Sequence, residues 1–256
     1  MLKDFTQEKF DIIIQAGQSN SEGTACGPVD RPYEINDRVW YLNGNFTISL
    51  AQEVVWENET VSNFGLSFAR DYMEKGLLQE DRKLLILRTA VGGTGFLDNR
   101  WKMTDDLYLR MMEMIGTALD LNKENRLVAF LWHQGETDAL LNASREVHYN
   151  HLSTLLDSVC TTFDVPKIPF IAGDFVQDWK SENMAISKPV IEAIKDVCTK
   201  YPYGAFVETD GLKSNRQENN RITLGWPEDD PIHFSRRAIY ELGCRYFAAY
   251  QEILSR

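Results

Sequence analysis

Ser19 stands in the tetrapeptide Gly17-Gln18-Ser19-Asn20, directly after a short apolar run. A serine hydroxyl is a weak nucleophile and needs a base within hydrogen-bond reach. At a strand-to-turn position it also presents its own backbone N–H to a developing oxyanion. The chain has four histidines to supply that base. His148 and His151 stand three apart in a segment of helical period. No carboxylate spacing supports a metal there, so they read as a satisfied helical pair. His133 closes an apolar run, where a catalytic and a packing role are both open. His233 follows Asp230 at i−3, with Pro231 restricting the backbone between them. An aspartate so placed can fold back onto Nδ1–H, fix the tautomer and leave Nε2 to take a serine proton. Each piece alone has a plainer reading: Ser19 or Asn20 as a helix N-cap, and Asp230 as a surface turn residue.

Two further segments offer donors. Gly92-Gly93-Thr94-Gly95 permits φ > 0 and close backbone approach. The N–H of Gly93 and the side-chain amide of Gln134 are the kinds of group an oxyanion hole requires. Glu136 and Asp138 follow as spare acids, although solvated loop carboxylates are the plainer expectation. The segment Ala90 to Leu97 also resembles the glycine-rich turn of nucleotide-sugar epimerases and other dinucleotide-binding enzymes. There a third glycine brings helix close to strand. Here Asp98 holds that position, Asp98-Asn99-Arg100-Trp101 is a poor helix start, and the turn follows the second strand. That reading ranks well below the serine one.

The elements that must position these residues alternate. Phe10 to Ala16 is short, β-branched and followed by a glycine turn, as a strand should be. Leu84–Ala90, Leu127–Trp132, Ile168–Ala172 and Ala205–Val207 are similar, and near-continuous apolar runs fit strands buried on both faces of a parallel sheet. Helical stripes lie between and after them. They are Phe64/Phe68/Tyr72 with a stop at Lys75-Gly76, Tyr108 to Leu119, His148 to Phe163, Val190 to Cys198, and Ile239 to Ile253. The alternation predicts a parallel sheet with helices on both faces, with ligands bound at the carboxyl ends of its strands. Residues 29–61 form a polar insertion with a turn signal at Asn43-Gly44-Asn45, either a hairpin or an irregular loop.

The chain has 256 residues, 27 Lys plus Arg against 38 Asp plus Glu, a net charge of −11 and 43% apolar residues. That composition is globular, and one domain spanning 1–256 is the simplest account. The acidic balance argues against nucleic-acid binding. No stretch is long and apolar enough to predict a membrane span. Cys26, Cys160, Cys198 and Cys244 are scattered with no CxxC, which suggests reduced thiols rather than a zinc site or a disulfide framework. With a charged N-terminus that lacks an apolar stretch, a cytoplasmic location is expected. The sequons at Asn45, Asn58 and Asn142 are then chance matches.

Together, Gly17–Asn20, Gly92–Thr94, His133–Asp138 and Asp230–His233 resemble, in order, the blocks of the SGNH (GDSL-like) hydrolase superfamily. The match is to its sialate O-acetylesterase and acetylxylan esterase branch, carbohydrate esterase family six. Trp132-His133-Gln134-Gly135-Glu136 is the most specific piece, and the blocks span residues 17 to 233. The resemblance implies a three-layer α/β/α sandwich with a five-stranded parallel sheet and no metal or organic cofactor. It implies Ser19 as nucleophile, His233 as base and Asp230 as orienting acid. It also implies an oxyanion hole from Ser19, Gly93 and Gln134, with Gly92 as alternative donor and Asn20 and Glu136 as possible supports. Gly95 replaces the serine usual after Gly-Gly-Thr.

The implied substrate is an acetylated carbohydrate, of the sialic acid or xylo-oligosaccharide type. Trp40, Trp56, Trp101, Trp179 and Trp226 fall outside the helical stripes. Each could stack on a sugar ring or cover a core edge. The competing functions are a catalytically silent carbohydrate-binding module on the same scaffold and, less favoured, a nucleotide-sugar oxidoreductase.

Overall fold

The computed structural model describes residues 2–56, 59–218 and 229–256. After a 3-10 turn, β1 (Lys9–Gly17) leads into the short α1 (Ser19–Glu22). The expected insertion supplies β2 (Val39–Leu42), β3 (Ile48–Leu50) and a separate antiparallel ribbon of β4 (Val54–Trp56) and β5 (Glu59–Val61). The alternating part continues through α2 (Phe64–Glu74), β6 (Arg82–Arg88), α3 (Asp106–Asp120) and β7 (Arg126–His133). There follow α4 (Glu136–Leu140), α5 (Arg145–Thr162), β8 (Phe170–Gly173), α6 (Gln177–Glu182) and α7 (Met184–Lys200). The chain ends with β9 (Gly204–Val207), α8 (Asn215–Glu218) and α9 (Arg236–Leu254).

The central sheet has seven strands in the order β3-β2-β6-β1-β7-β8-β9. All neighbours are parallel except β2 and β3. The five expected strands are all present and mutually parallel. The sheet is wider than expected because Val39-Trp40-Tyr41-Leu42, an apolar tetrapeptide inside the polar insertion, pairs with Leu84–Leu87 on β6. The chain then turns through Asn43–Thr47 and returns as the antiparallel edge strand β3.

Alternation along each strand explains why the apolar runs are continuous. Ile12 and Ile14 of β1, Leu85 and Leu87 of β6, and Phe130 and Trp132 of β7 join one core with α3, α5 and α7. Ile13, Leu84, Ile86, Ala129 and Leu131 point the other way, into a second core against α2 and α9. Period-2 geometry feeds both cores, so both faces of these strands must be apolar. The result is three layers, α/β/α. The helices begin where their sequences allow. Asn63 caps α2 through Gly65 N, Ser144 caps α5 through Val147 N, and Ser235 caps α9 through Ala238 N.

Candidate active site

The site forms where β1 and β7 end side by side. Gly17 has φ +124°, and a Cβ there would lie 2.1 Å from the His133 carbonyl oxygen. Glycine alone lets the two strand ends close to this distance. The Gln18 N–H then donates to His133 O (3.0 Å), and the chain turns into α1 with Ser19 at its first helical position. Ser19 is not a cap. Its Oγ lies 2.8 Å from His233 Nε2, and His233 Nδ1 lies 2.8 Å from Asp230 Oδ1. Three side chains spanning more than 200 residues of sequence thus stand in one hydrogen-bonded line, each 5% exposed or less.

Asn215, at the start of α8, extends the line. Its Nδ2 donates to Asp230 Oδ2 (2.9 Å), and its backbone N–H donates to His233 O (2.8 Å). No motif marks Asn215 in the sequence; its role follows from an antiparallel bridge between Ser214 and Phe234. Asn20 clamps the same loop from the other side. Its Nδ2 donates to Ile232 O and to Glu136 Oε1, both at 3.0 Å, while its Oδ1 accepts from the Phe234 N–H at 3.1 Å. The residues on either side of His233 are therefore both tied to Asn20.

The acids expected to be solvated are buried. Glu136 and Asp138 are wholly inaccessible. Burial pushes the Glu136 carboxyl up to about 7, only partly offset by the bonds from its own N–H and from Asn20. Asp138 is different. Burial works against its charge, but the His148 ring at 3.3 Å and N–H donors from Leu97 and Phe96 hold it below the ordinary carboxylate range. Asp138 also engages Gln134, whose Nε2 donates to Asp138 Oδ2 (2.9 Å) and lies 3.3 Å from Thr94 O. Gln134 is fully buried with both amide hydrogens so committed. In this geometry it ties the β7 end to the Gly92–Thr94 turn rather than offering a donor to the Ser19 cleft. Gln18 does similar work, its Oε1 accepting from the N–H groups of Gly135 and Thr137.

The two glycines of the turn are not equivalent. The Gly92 N–H donates to Glu22 Oε2 at 2.7 Å. A Cβ on Gly92 would sit 3.4 Å from Ser19 Cβ, so the turn packs directly on the serine. Gly93 follows at φ +69° and is exposed, and nothing among the described residues accepts from its N–H. The Ser19 N–H, in the first turn of α1, has no intrahelical acceptor. Between β6 and α3 the chain runs as turns and bends from Gly92 to Asp105, so no helix receives a dinucleotide at this glycine turn.

The remaining histidines are structural. Tyr246 Oη donates to Trp132 O (2.9 Å), so it accepts from His133 Nδ1 (3.0 Å). His133 packs among Phe64, Phe234 and Tyr246, and burial pushes its pKa down to about 3, keeping the ring neutral. His148 faces Asp138, while His151 stacks on Phe96. Among the described residues no three His, Cys, Asp or Glu side chains group as metal ligands.

Ser19, Gly92, Val91, Thr24 and Trp56 line an open cleft of about 510 Å³. Of the five tryptophans outside the helical stripes, Trp56 reaches this cleft. Trp101 is fully buried with its Nε1 on Thr94 Oγ1, Trp179 packs on Phe175, and Trp40 lies on β2 against Phe5. Trp226 lies outside the described residues.

Residues 9–252 match the family described as carbohydrate esterase, sialic acid-specific acetylesterase. The chain belongs to that family. Among relatives, a probable carbohydrate esterase of Arabidopsis thaliana, At4g34215, is 25% identical over 179 residues, or 62% of this chain. The match spans 66% of that relative's length. The crystal structure of NanS superposes with a TM-score of 0.79 at 16% identity, covering 97% of this chain and 98% of NanS. The Arabidopsis protein's structure gives 0.71 at 18% identity over 94% and 98% of the two chains. XAC1771, a carbohydrate acetylesterase from Xanthomonas citri, gives 0.57 at 13% identity, covering 95% of this chain and 56% of its own. At these identities the structural likenesses establish a shared fold. This member of the carbohydrate esterase family has, among its described residues, no helix long and apolar enough to cross a membrane.

Proposed function

We propose that this carbohydrate esterase family member is a serine esterase that removes O-acetyl groups from a sugar. The reading rests on the consecutive contacts Ser19 Oγ–His233 Nε2 and His233 Nδ1–Asp230 Oδ1, both 2.8 Å. Ser19 Oγ attacks the acetyl carbonyl carbon while its proton passes to His233 Nε2. Asp230 holds Nδ1–H and stabilises the imidazolium. The oxyanion is received by the N–H groups of Ser19 and Gly93. Gly92 serves as the close-packed hinge between them, since its own N–H is spent on Glu22. As the bond to the sugar oxygen breaks, His233 returns the proton to that oxygen. Water, deprotonated by His233, then attacks the acetyl-serine and releases acetate.

Residues 1–256 act as one esterase domain in this reading, with the 29–61 insertion contributing Trp56 to the cleft wall. A cytoplasmic location goes with it, in keeping with four free thiols. The test is Ser19→Ala assayed on p-nitrophenyl acetate. Turnover should fall to background while the circular dichroism spectrum is unchanged. Undiminished turnover would remove Ser19 from the mechanism.

A further inference from the structure

The loop that carries Asp230 leans on the single turn α8. One helical turn does not hold itself in water, so its place must be set by other ties. Ser214 and Gln217 close the turn reciprocally. Ser214 Oγ accepts from the Gln217 N–H at 3.2 Å, and Gln217 Oε1 accepts from the Ser214 N–H at 3.1 Å. Towards the site, the Arg216 N–H donates to Asp230 O at 3.0 Å, next to Asn215 Nδ2 on Asp230 Oδ2. Asn215 Oδ1 accepts from the Cys26 N–H at 3.3 Å, which turns the amide hydrogens to Asp230. Away from the site, the Arg216 guanidinium gathers three carboxylates. Nε and Nη2 fork onto Asp178 Oδ2 and Oδ1 at 2.9 and 2.6 Å. Nη2 also reaches Glu182 Oε1 at 2.7 Å, and Nη1 bridges Asp229 Oδ1 and Oδ2 at 3.1 and 3.3 Å. These five contacts equal in number the N–H donors of a guanidinium. Asp178, on α6, takes a further bond from Ser214 Oγ at 2.6 Å. Arg216 above all, and then Ser214, hold its carboxyl below the ordinary carboxylate range against the opposing effect of burial.

We propose that Arg216 and Asp178 are positioning residues for the catalytic acid: their forked ion pair fixes α8 to α6, and α8 in turn holds Asp230 against His233 Nδ1. The inference deepens the esterase reading above and rests on it for the reaction. Neither residue touches the reacting atoms. A bidentate guanidinium–carboxylate pair sets an orientation as well as a distance, which a point charge does not. Asp229 is the chain neighbour of Asp230 and is largely exposed, so water competes for its carboxylate. Without Arg216, the carboxylates of Asp178, Glu182 and Asp229 lose the positive charge they share. Like-charge repulsion then drives Asp229 off α6, and Asp230 moves with it. The 2.8 Å contact between Asp230 and His233 leaves little room for such a shift. A displacement of about 1 Å, even one caused far from the chemistry, can cost on the order of 10²-fold in rate. A merely structural ion pair would change stability and leave turnover alone.

The test needs a signal from the Asp230–His233 contact itself. A histidine Nδ1–H held by a carboxylate gives a far-downfield proton resonance, whether or not the chain turns over an ester. That resonance is recorded for the native chain, Arg216→Gln, Asp178→Asn and the double variant. Values of kcat and KM on p-nitrophenyl acetate are measured beside it, at a temperature where circular dichroism shows every chain folded. Each single variant should lose or weaken the resonance and lower kcat roughly 10- to 100-fold with KM little changed. The double variant should lose no more than the worse single one, because both residues act through one contact. A native resonance and native kcat in both single variants, with stability alone reduced, overturns the proposal. So do losses that multiply in the double variant, and so does a native chain without the resonance. Should Arg216→Gln fail to fold, Asp178→Asn decides alone. A native chain that shows the resonance, loses it in Asp178→Asn and hydrolyses no ester keeps the positioning pair and discards the esterase.

Discussion

Replacing Glu136 with glutamine should stabilise the protein at alkaline pH and leave it nearly unchanged at acid pH. Glu136 is sealed from solvent, one oxygen accepts from Asn20, and the other has no partner. Burial lifts its carboxyl from 4.5 to about 7. The folded state therefore holds this proton more tightly than the unfolded chain does. The stability it contributes is fully present below about pH 4.5 and is lost as pH rises through about 7. That loss amounts to about 3 kcal/mol by pH 8, the free-energy equivalent of the shift. Glutamine keeps an acceptor for Asn20 and removes the buried charge. Urea denaturation at pH 4.5 and pH 8 should give Glu136→Gln within about 1 kcal/mol of the native chain at the lower pH. At the higher pH it should be about 3 kcal/mol more stable, a rise in Tm of about 6–12 °C for a chain of this size. An equal difference at both pH values, or a variant less stable than native at pH 8, would refute the electrostatic account of this residue.

Asp230→Asn leaves the side-chain shape but offers His233 a group that no longer fixes its tautomer. The value of kcat should fall roughly 10²- to 10⁴-fold with little change in KM, and an unchanged kcat would take Asp230 out of the line. Asn20→Ala strips partners from the Phe234 N–H, Ile232 O and Glu136 at once. It should cost about 1–3 kcal/mol in urea denaturation and lower kcat more than it raises KM, because His233 loses its clamp. A variant of native stability and native kcat would show that the loop around His233 holds itself.

Much of the fold can be read from the sequence because burial on both faces forces unmistakable runs such as Phe10 to Ala16. The same logic hides β2: Val39 to Leu42 is just as apolar but only four residues long, and the polar chain around it disguises a sheet strand. At the site, Ser19, Asp230 and His233 are legible because local spacing carries their chemistry. Asn215 is not, since an isolated asparagine acquires meaning only when Phe234 is bridged to Ser214. Nor can sequence tell a cleft tryptophan from a core one. Trp56 and Trp101 look alike in the chain, yet one lines the cleft and the other is sealed against Thr94 and Trp132. Gln134 teaches a similar lesson. An amide is a suitable oxyanion donor by type, but the buried carboxylate of Asp138, four residues on, and the carbonyl of Thr94 claim its hydrogens first.

The claim on which everything else depends is that the Ser19 oxygen is an activated nucleophile. A fluorophosphonate probe followed by peptide mass spectrometry measures this directly. The account predicts one covalent adduct, on Ser19, that forms in the native chain and is lost or strongly slowed in His233→Ala. An adduct on a different serine, or labelling of Ser19 at the native rate without His233, would contradict it.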